Sequence, residues 1–146
     1  MSISENLGKY LVVGVFGAGL VIGGWKLIAP ASAPSSGAIV DVTVPQLTAQ
    51  AMSGQQAFEA NCAECHGKNA SGTDKGPPLI HDIYNPGHHA DEAFFRATGQ
   101  GVRQHHWPYG NMPEQPQVSE QQVADIVRYV RELQEANWIF YRPHQM

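Results

Sequence analysis

The sequence predicts an all-α domain with long loops, preceded by an apolar N-terminal segment. Apolar residues recur at helical spacing near the C-terminus, helix-capping residues precede the predicted helices, and 15 Gly and 10 Pro residues are spread over the loops. Hydrophobic residues make up 42% of the chain, charged residues only 15%, and the formal net charge is -4. No basic cluster is present, so we expect no nucleic-acid partner.

Residues 1–28 are predicted to be a signal anchor. The stretch from Tyr10 to Ile28 reads YLVVGVFGAGLVIGGWKLI and contains a single charged residue. As a helix it would be about 28 Å long, close to the roughly 30 Å of a bilayer core. A cleaved signal peptide is the alternative, but the apolar stretch is longer than is usual for one. We therefore expect a single transmembrane helix that is retained.

Gly19 and Gly23 form a G-x-x-x-G pattern within this segment. Such small-residue spacing allows close packing against another transmembrane helix, although glycine is also common in membrane spans. Both interpretations stay open. The pattern marks a possible transmembrane helix partner.

Residues 29–52 are predicted to be a flexible linker. Its first half is rich in Pro, Ala, Ser and Gly, a composition that favours extended, mobile chain. The stretch from Ile39 to Val44 has some β character, and we expect it to lie against the domain or against a partner.

The soluble domain is predicted over residues 53–137, and it begins with a capping box formed by Ser53 and Gln56. A second helix is expected to begin near Asp91. A last helix should begin at Ser119, which forms a capping box with Gln122. Its apolar face is predicted to consist of Val123, Ile126, Val127, Val130 and Leu133, and its polar face of Arg128, Arg131, Glu132 and Glu135.

The five residues from Cys62 to His66 read CAECH and contain the only two cysteines of the sequence. This spacing suits two thioether bonds to the vinyl groups of a haem, with His66 as a ligand of the iron. A zinc ribbon would need further Cys or His ligands at the right spacing. A thioredoxin-like pair would need a βαβ pattern, and a disulfide would close a very small loop. The motif therefore predicts one covalently attached haem c.

From residue 53 to about residue 136, the sequence resembles class I c-type cytochromes, which are monohaem electron carriers. Gly54 and Phe58 precede Cys62 at that family's spacing. The resemblance implies a close crossing of Gly54 with the last helix, where Tyr129 is the aromatic partner. Residues 76–79, GPPL, match the family's G-P-x-L loop. The Pro77 carbonyl is then expected to accept a hydrogen bond from His66 Nδ1.

Met112, in the sequence Asn-Met-Pro, lies where the same family places its second axial ligand. A thioether favours ferrous iron, so ligation by His66 and Met112 would raise the reduction potential. The alternative is that Met112 is a core methionine that only packs beside Pro113. Any histidine between His81 and His106 could also replace Met112 and give a bis-His haem.

Further histidines stand in two adjacent pairs, His88-His89 and His105-His106. They could form a second metal site, but surface positions or contacts with the haem propionates are the more ordinary interpretation. Trp107 and Tyr109 could line the haem pocket, donate to a propionate or simply pack.

These features predict a non-enzymatic electron carrier, anchored in a bacterial inner membrane with its haem domain in the periplasm. Its expected partners are membrane-bound redox complexes that act as electron donor and acceptor. The alternatives are a fixed subunit of a larger oxidoreductase complex and a gas-binding or peroxide-reducing haem protein. Residues 53–137 hold six Lys and Arg against eleven Asp and Glu, so the domain is acidic. The aromatic tail, residues 138–146, could be a docking arm or could fold back on the domain.

Overall fold

The computed structural model describes residues 39–143. Within them the chain forms α1 (Ala49–Asn61), α2 (Ala63–His66), α3 (Asp91–Gln100) and α4 (Glu120–Ala136), with short 3-10 helices at Lys68–Ala70 and Asp82–Tyr84. This part of the chain contains no β-strand and has an isolated antiparallel bridge between Val102 and Met112. The all-α prediction is therefore confirmed for residues 39–143.

The predicted membrane anchor, with Gly19 and Gly23, lies outside the described residues, as do the first part of the linker and the last three residues of the tail. Among residues 39–143, no helix combines the length and the apolarity that crossing a membrane would need.

The crossing of α1 and α4 forms the centre of the domain. A Cβ added to Gly54 would lie 1.9 Å from the Asp125 carbonyl oxygen, so a side chain at this position would collide with the backbone of α4. One turn further along, the rings of Phe58 and Tyr129 meet at 5.7 Å between centroids, and both are almost fully buried. The close crossing expected at Gly54 is present.

Helix α4 begins as the sequence predicts. The Ser119 hydroxyl accepts a hydrogen bond from the Gln122 N–H, and the Gln122 side chain accepts one from the Ser119 N–H, which completes the capping box. The five predicted apolar residues of its inner face are all buried.

The polar face of α4 is only partly as predicted. Glu132 is buried, where it accepts hydrogen bonds from Thr48 N (3.0 Å), Thr48 Oγ1 (2.6 Å) and Arg128 Nε (2.6 Å). The side chain of Arg131 is also only 11% exposed. The sequence-based assignment of Glu132 and Arg131 to the solvent face is wrong, because each of them contacts a segment distant in sequence.

The start of α1 was also predicted incorrectly. The helix begins at Ala49, and Thr48 is the N-cap, with its hydroxyl accepting a hydrogen bond from the Ala51 N–H. Ser53 lies inside the helix, where its hydroxyl donates to the Ala49 carbonyl at 3.3 Å. Thr48 caps the helix more effectively because its hydroxyl also donates to buried Glu132.

Chain segments on both sides of the helices lie against the domain. Ile39 and Val40 donate their N–H groups to the Ser71 carbonyl, each at 3.1 Å, as expected for a segment that packs on the domain. In the tail, Ile139 is buried, whereas Trp138 is 79% exposed. The described part of the tail therefore folds back and still presents aromatic side chains to solvent.

Candidate haem-binding site

The thiols and the imidazole are brought together by one short helix. Cys62 ends α1, with its N–H donating to the Phe58 carbonyl at 2.7 Å, and it also begins α2. The Cys65 and His66 N–H groups then donate to the Cys62 carbonyl at 3.2 and 2.9 Å. Because α1 is fixed by its crossing with α4, the three side chains are carried on a well-packed support.

His66 is held in one orientation by the loop that follows. Its Nδ1 lies 2.9 Å from the Pro77 carbonyl oxygen, and donation there leaves Nε2 as the lone-pair atom. The loop can approach because residue 76 is glycine: a Cβ there would lie 2.9 Å from the Cys65 carbonyl oxygen. Burial lowers the pKa of His66, and the hydrogen bond to Pro77 opposes that shift without cancelling it. The imidazole is therefore neutral at neutral pH, as an iron ligand must be.

Both cysteines are free thiols. Burial, with a smaller contribution from Cys65, raises the pKa of Cys62 to about 11. Cys62 is partly buried and Cys65 is exposed, so the pair extends from the core to the surface. Two free thiols three positions apart at one short helix are suited to covalent attachment of a single group at two points.

Met112 lies in a separate part of the structure, at the end of a loop that begins at Val102. Val102 and Met112 exchange backbone hydrogen bonds of 2.9 and 3.0 Å, which close the loop. Within it, Asn111 Oδ1 accepts from the Gln104 N–H at 2.9 Å, and Gln104 Oε1 accepts from the Gly110 N–H at 2.9 Å. Met112 is partly exposed. This loop carries Met112 between α3 and α4, as the sequence predicts.

Trp107, in the same loop, has a buried indole N–H with no hydrogen-bond acceptor among the described residues. Its ring contacts His81 edge-on, with 5.1 Å between centroids. Burial raises the pKa of Tyr84 to about 12. The nearby Trp107 indole partly opposes that shift, although its N–H makes no hydrogen bond of good geometry. A buried donor without an acceptor is what a bound polar group, such as a propionate, would complete.

Two further residues that the sequence did not single out organise this region. Arg131 donates to the carbonyls of Tyr84 (3.0 Å) and His89 (2.6 Å). The buried Gln134 side chain donates to the carbonyls of Leu79 and Tyr84, each at 3.0 Å. These two residues attach the chain after the GPPL loop to α4. Their spacing of three residues places them close together on one helix, but this spacing alone does not predict a role. Nothing in the sequence indicates that their acceptors are backbone carbonyls of a distant segment.

Comparisons with known proteins identify the family of the chain. The sequence profile of the Cytochrome c family matches residues 51–134, and the chain belongs to that family of electron-transferring haem proteins. It is also similar to the CcoP subunit of a cbb3-type cytochrome c oxidase from Rhodobacter capsulatus, with 35% identity over 89 residues. The matched region is 58% of this chain but only 29% of that relative. No solved structure matches the chain.

The residues described above fit the covalently bound haem of this family. One free thiol caps α2 and the other lies on it, a neutral imidazole has its Nδ1 engaged, and a buried indole donor lacks an acceptor. Cys62 and Cys65 would hold the haem, and His66 would bind the iron through Nε2.

Proposed function

We propose that this chain is a membrane-anchored monohaem cytochrome c that passes single electrons between membrane-associated redox complexes. Cys62 and Cys65 attach one haem c, and His66 and Met112 are the two axial ligands. The haem supplies the one-electron chemistry, and the protein holds it in place and controls access to it.

The observation that carries this proposal is the hydrogen bond from His66 Nδ1 to the Pro77 carbonyl. It joins the CAECH motif to the GPPL loop, fixes the ring and leaves Nε2 to act as a ligand. An imidazole that merely filled the core would not need to be oriented in this way beside two free thiols.

Met112 is proposed as the second ligand because the family resemblance places that ligand here, and the bridge to Val102 holds its backbone in place. A thioether in this position closes the iron to exogenous ligands and raises the reduction potential. A closed, six-coordinate iron suits electron transfer better than substrate chemistry, which favours a carrier over an enzyme.

The test replaces Met112 by Ala in the haem-loaded full chain, in detergent. We expect Met112→Ala to keep its covalent haem, to lower the potential and to bind carbon monoxide when reduced. Met52→Ala is the matched control, because Met52 is a 49% exposed methionine on α1. Avid carbon monoxide binding by the reduced wild-type protein would instead favour the gas-binding or peroxide-reducing alternative.

Anchoring by Tyr10 to Ile28 is proposed from the apolar length of that segment, with the haem domain on the periplasmic side of a bacterial inner membrane. The bilayer would then raise the local concentration of the domain near its electron donor and acceptor. We expect the native protein to resist extraction by salt or carbonate and to be released by detergent. A native N-terminus at or after Ser32 would show that the segment is a signal peptide.

A fixed subunit of an oxidase is the second candidate, and the 35% identity to an oxidase subunit favours it. Membranes solubilised in mild detergent separate the two possibilities. A carrier should migrate alone on size exclusion, whereas a fixed subunit should comigrate in constant ratio with a larger haem complex.

A further inference from the structure

Histidines from two separate loops converge on one side of the domain. His88 and His89 follow the 3-10 helix at Asp82–Tyr84, and His106 lies in the loop between Val102 and Met112. One ring nitrogen from each of the three histidines can be chosen so that all three atoms lie within 4.8 Å of one another. Nothing in the proposed electron-transfer role uses this group.

The distances within the cluster suit a tetrahedral ion. Nε2 of His88 and Nε2 of His106 are 3.2 Å apart. Two nitrogens bound to one zinc ion at about 2.0–2.1 Å with tetrahedral angles are separated by about 3.3 Å. No pair of the three nitrogens is more than 4.8 Å apart, so modest ring rotations would bring the third nitrogen to the same distance.

Contacts behind the cluster orient its rings. His89 Nδ1 lies 2.7 Å from the Ile83 carbonyl oxygen, so donation there leaves Nε2 with its lone pair. A histidine that binds a metal through one ring nitrogen usually donates the N–H of its other ring nitrogen to a carboxylate, a backbone carbonyl or water, which fixes the orientation of the ring. Arg131 holds the same residue by donating to the His89 carbonyl at 2.6 Å. His89 is thus fixed on both its ring and its backbone.

Two of the three imidazoles, those of His89 and His106, are biased towards the neutral form by their surroundings. Burial is the first cause that lowers the pKa of His89 and of His106, and the neighbouring histidines lower each pKa further. Neutral imidazole is the form that binds metal. His105 stands beside the group, with its ring 4.2 Å from that of His106 between centroids, while water could occupy a fourth position.

We propose that His88, His89 and His106 bind one Zn²⁺ ion. Three imidazoles without a thiolate or carboxylate select borderline divalent ions, and three histidines with an open fourth position are a ligand set that zinc takes in proteins. The bound ion would join the segment after Tyr84 to the loop that carries Met112. Zn²⁺ should therefore stabilise that loop against local opening.

The test uses untagged, full-length protein with its haem attached, in detergent and freed of metal by a chelator. Equilibrium dialysis against Zn²⁺, with zinc and protein quantified separately, should give one Zn²⁺ per chain. His89→Gln and His106→Gln should each weaken binding by about 100-fold or more, since loss of even an outer-shell partner costs 10–100-fold. His81→Asn is the matched control: this histidine lies outside the group, and Asn keeps an acceptor for the Ile83 N–H.

Hydrogen exchange provides a second readout, which does not depend on the haem ligands. Zn²⁺ should slow exchange in residues 102–112 of the wild type and of His81→Asn, but not of His106→Gln. The proposal fails if the haem-loaded wild type binds no Zn²⁺, or if His89→Gln and His106→Gln bind it as the wild type does. It also fails if Cu²⁺ binds at the cluster and Zn²⁺ does not, or if Zn²⁺ binds only after haem is removed, since the histidines would then serve the haem.

Discussion

The two parts of the chain that carry the proposed haem ligands are built differently. The part that carries Cys62, Cys65 and His66 rests on the buried crossing of α1 with α4. The part that carries Met112 is a partly exposed loop, closed by one backbone bridge and two hydrogen bonds from backbone N–H groups to side-chain oxygens. Burial and backbone contact therefore fix the attachment side, whereas a few exposed hydrogen bonds fix the loop side.

This difference predicts how well each part of the chain should tolerate substitution. Close packing transmits any change in volume, because the interior has no free space to absorb it. Exposed hydrogen bonds compete with water and contribute little each. Substitutions on the attachment side should therefore cost more than chemically similar ones on the loop side.

The largest expected effect is on haem attachment. Cys62→Ala combined with Cys65→Ala should abolish covalent haem, because no thioether can then form. Met112→Ala should keep it in full. A haem stain after denaturing electrophoresis measures both, and undiminished staining of the double variant would refute the assignment of the two thiols.

The second prediction compares two helical glycines. Gly54→Ala should destabilise the protein by about 3 kcal/mol, because its Cβ would meet the Asp125 carbonyl oxygen. Gly99→Ala on α3 meets nothing within 4 Å and should stabilise by up to about 1 kcal/mol through helix propensity. Denaturant unfolding of the haem-loaded variants gives both values. Equal effects would show that the crossing of α1 and α4 is looser than described.

The smallest effects come from polar groups. Glu132→Gln should cost about 1–3 kcal/mol, because one of the three donors to the buried carboxylate loses its acceptor. Asn111→Ala on the loop side should cost less than about 1 kcal/mol, since it removes one exposed hydrogen bond to Gln104. Unfolding free energies at pH 7 compare the two, and similar losses would contradict the difference between the sides.

The pH dependence sharpens this comparison. Burial raises the pKa of Glu132, but hydrogen bonds from Thr48 and Arg128 outweigh it, so the pKa in the folded protein is lowered. Ionised Glu132 therefore stabilises the fold above the unfolded pKa of about 4.3, and that contribution is lost as pH falls through the folded pKa. The deficit of Glu132→Gln should shrink in acid, whereas that of Asn111→Ala should not. A deficit independent of pH would mean that the carboxylate charge is not what holds Thr48.

The sequence predicted the features that depend on local spacing. The capping box at Ser119, the apolar face of α4 and the approximate start of α3 follow from periods and caps within a few residues. The family resemblance then placed the crossing at Gly54 and the contact between His66 and Pro77. At these positions two segments of backbone approach each other closely. Such an approach favours glycine or proline, and these residues can be recognised in the sequence.

The failures all involve contacts between residues far apart in sequence. Ser53 and Gln56 match a capping box as well as Ser119 does, but Thr48 gains buried Glu132, 84 positions away, as a further partner. Arg131 and Glu132 look like solvent-exposed charges because their acceptors and donors belong to other segments. The sequence marks the pairs His88-His89 and His105-His106 as a possible second metal site, but it does not show which of these rings meet, since that depends on how two separate loops fold.

The two ends of the helical domain meet. Thr43 donates its N–H to the Asn137 side chain at 2.9 Å, and the same side chain donates to the Thr43 carbonyl at 2.8 Å. A domain whose entry and exit lie side by side can be inserted into a longer polypeptide without rearranging its core. This closure gives a physical reason why a unit of this kind can recur as a module, matching 29% of a longer oxidase subunit.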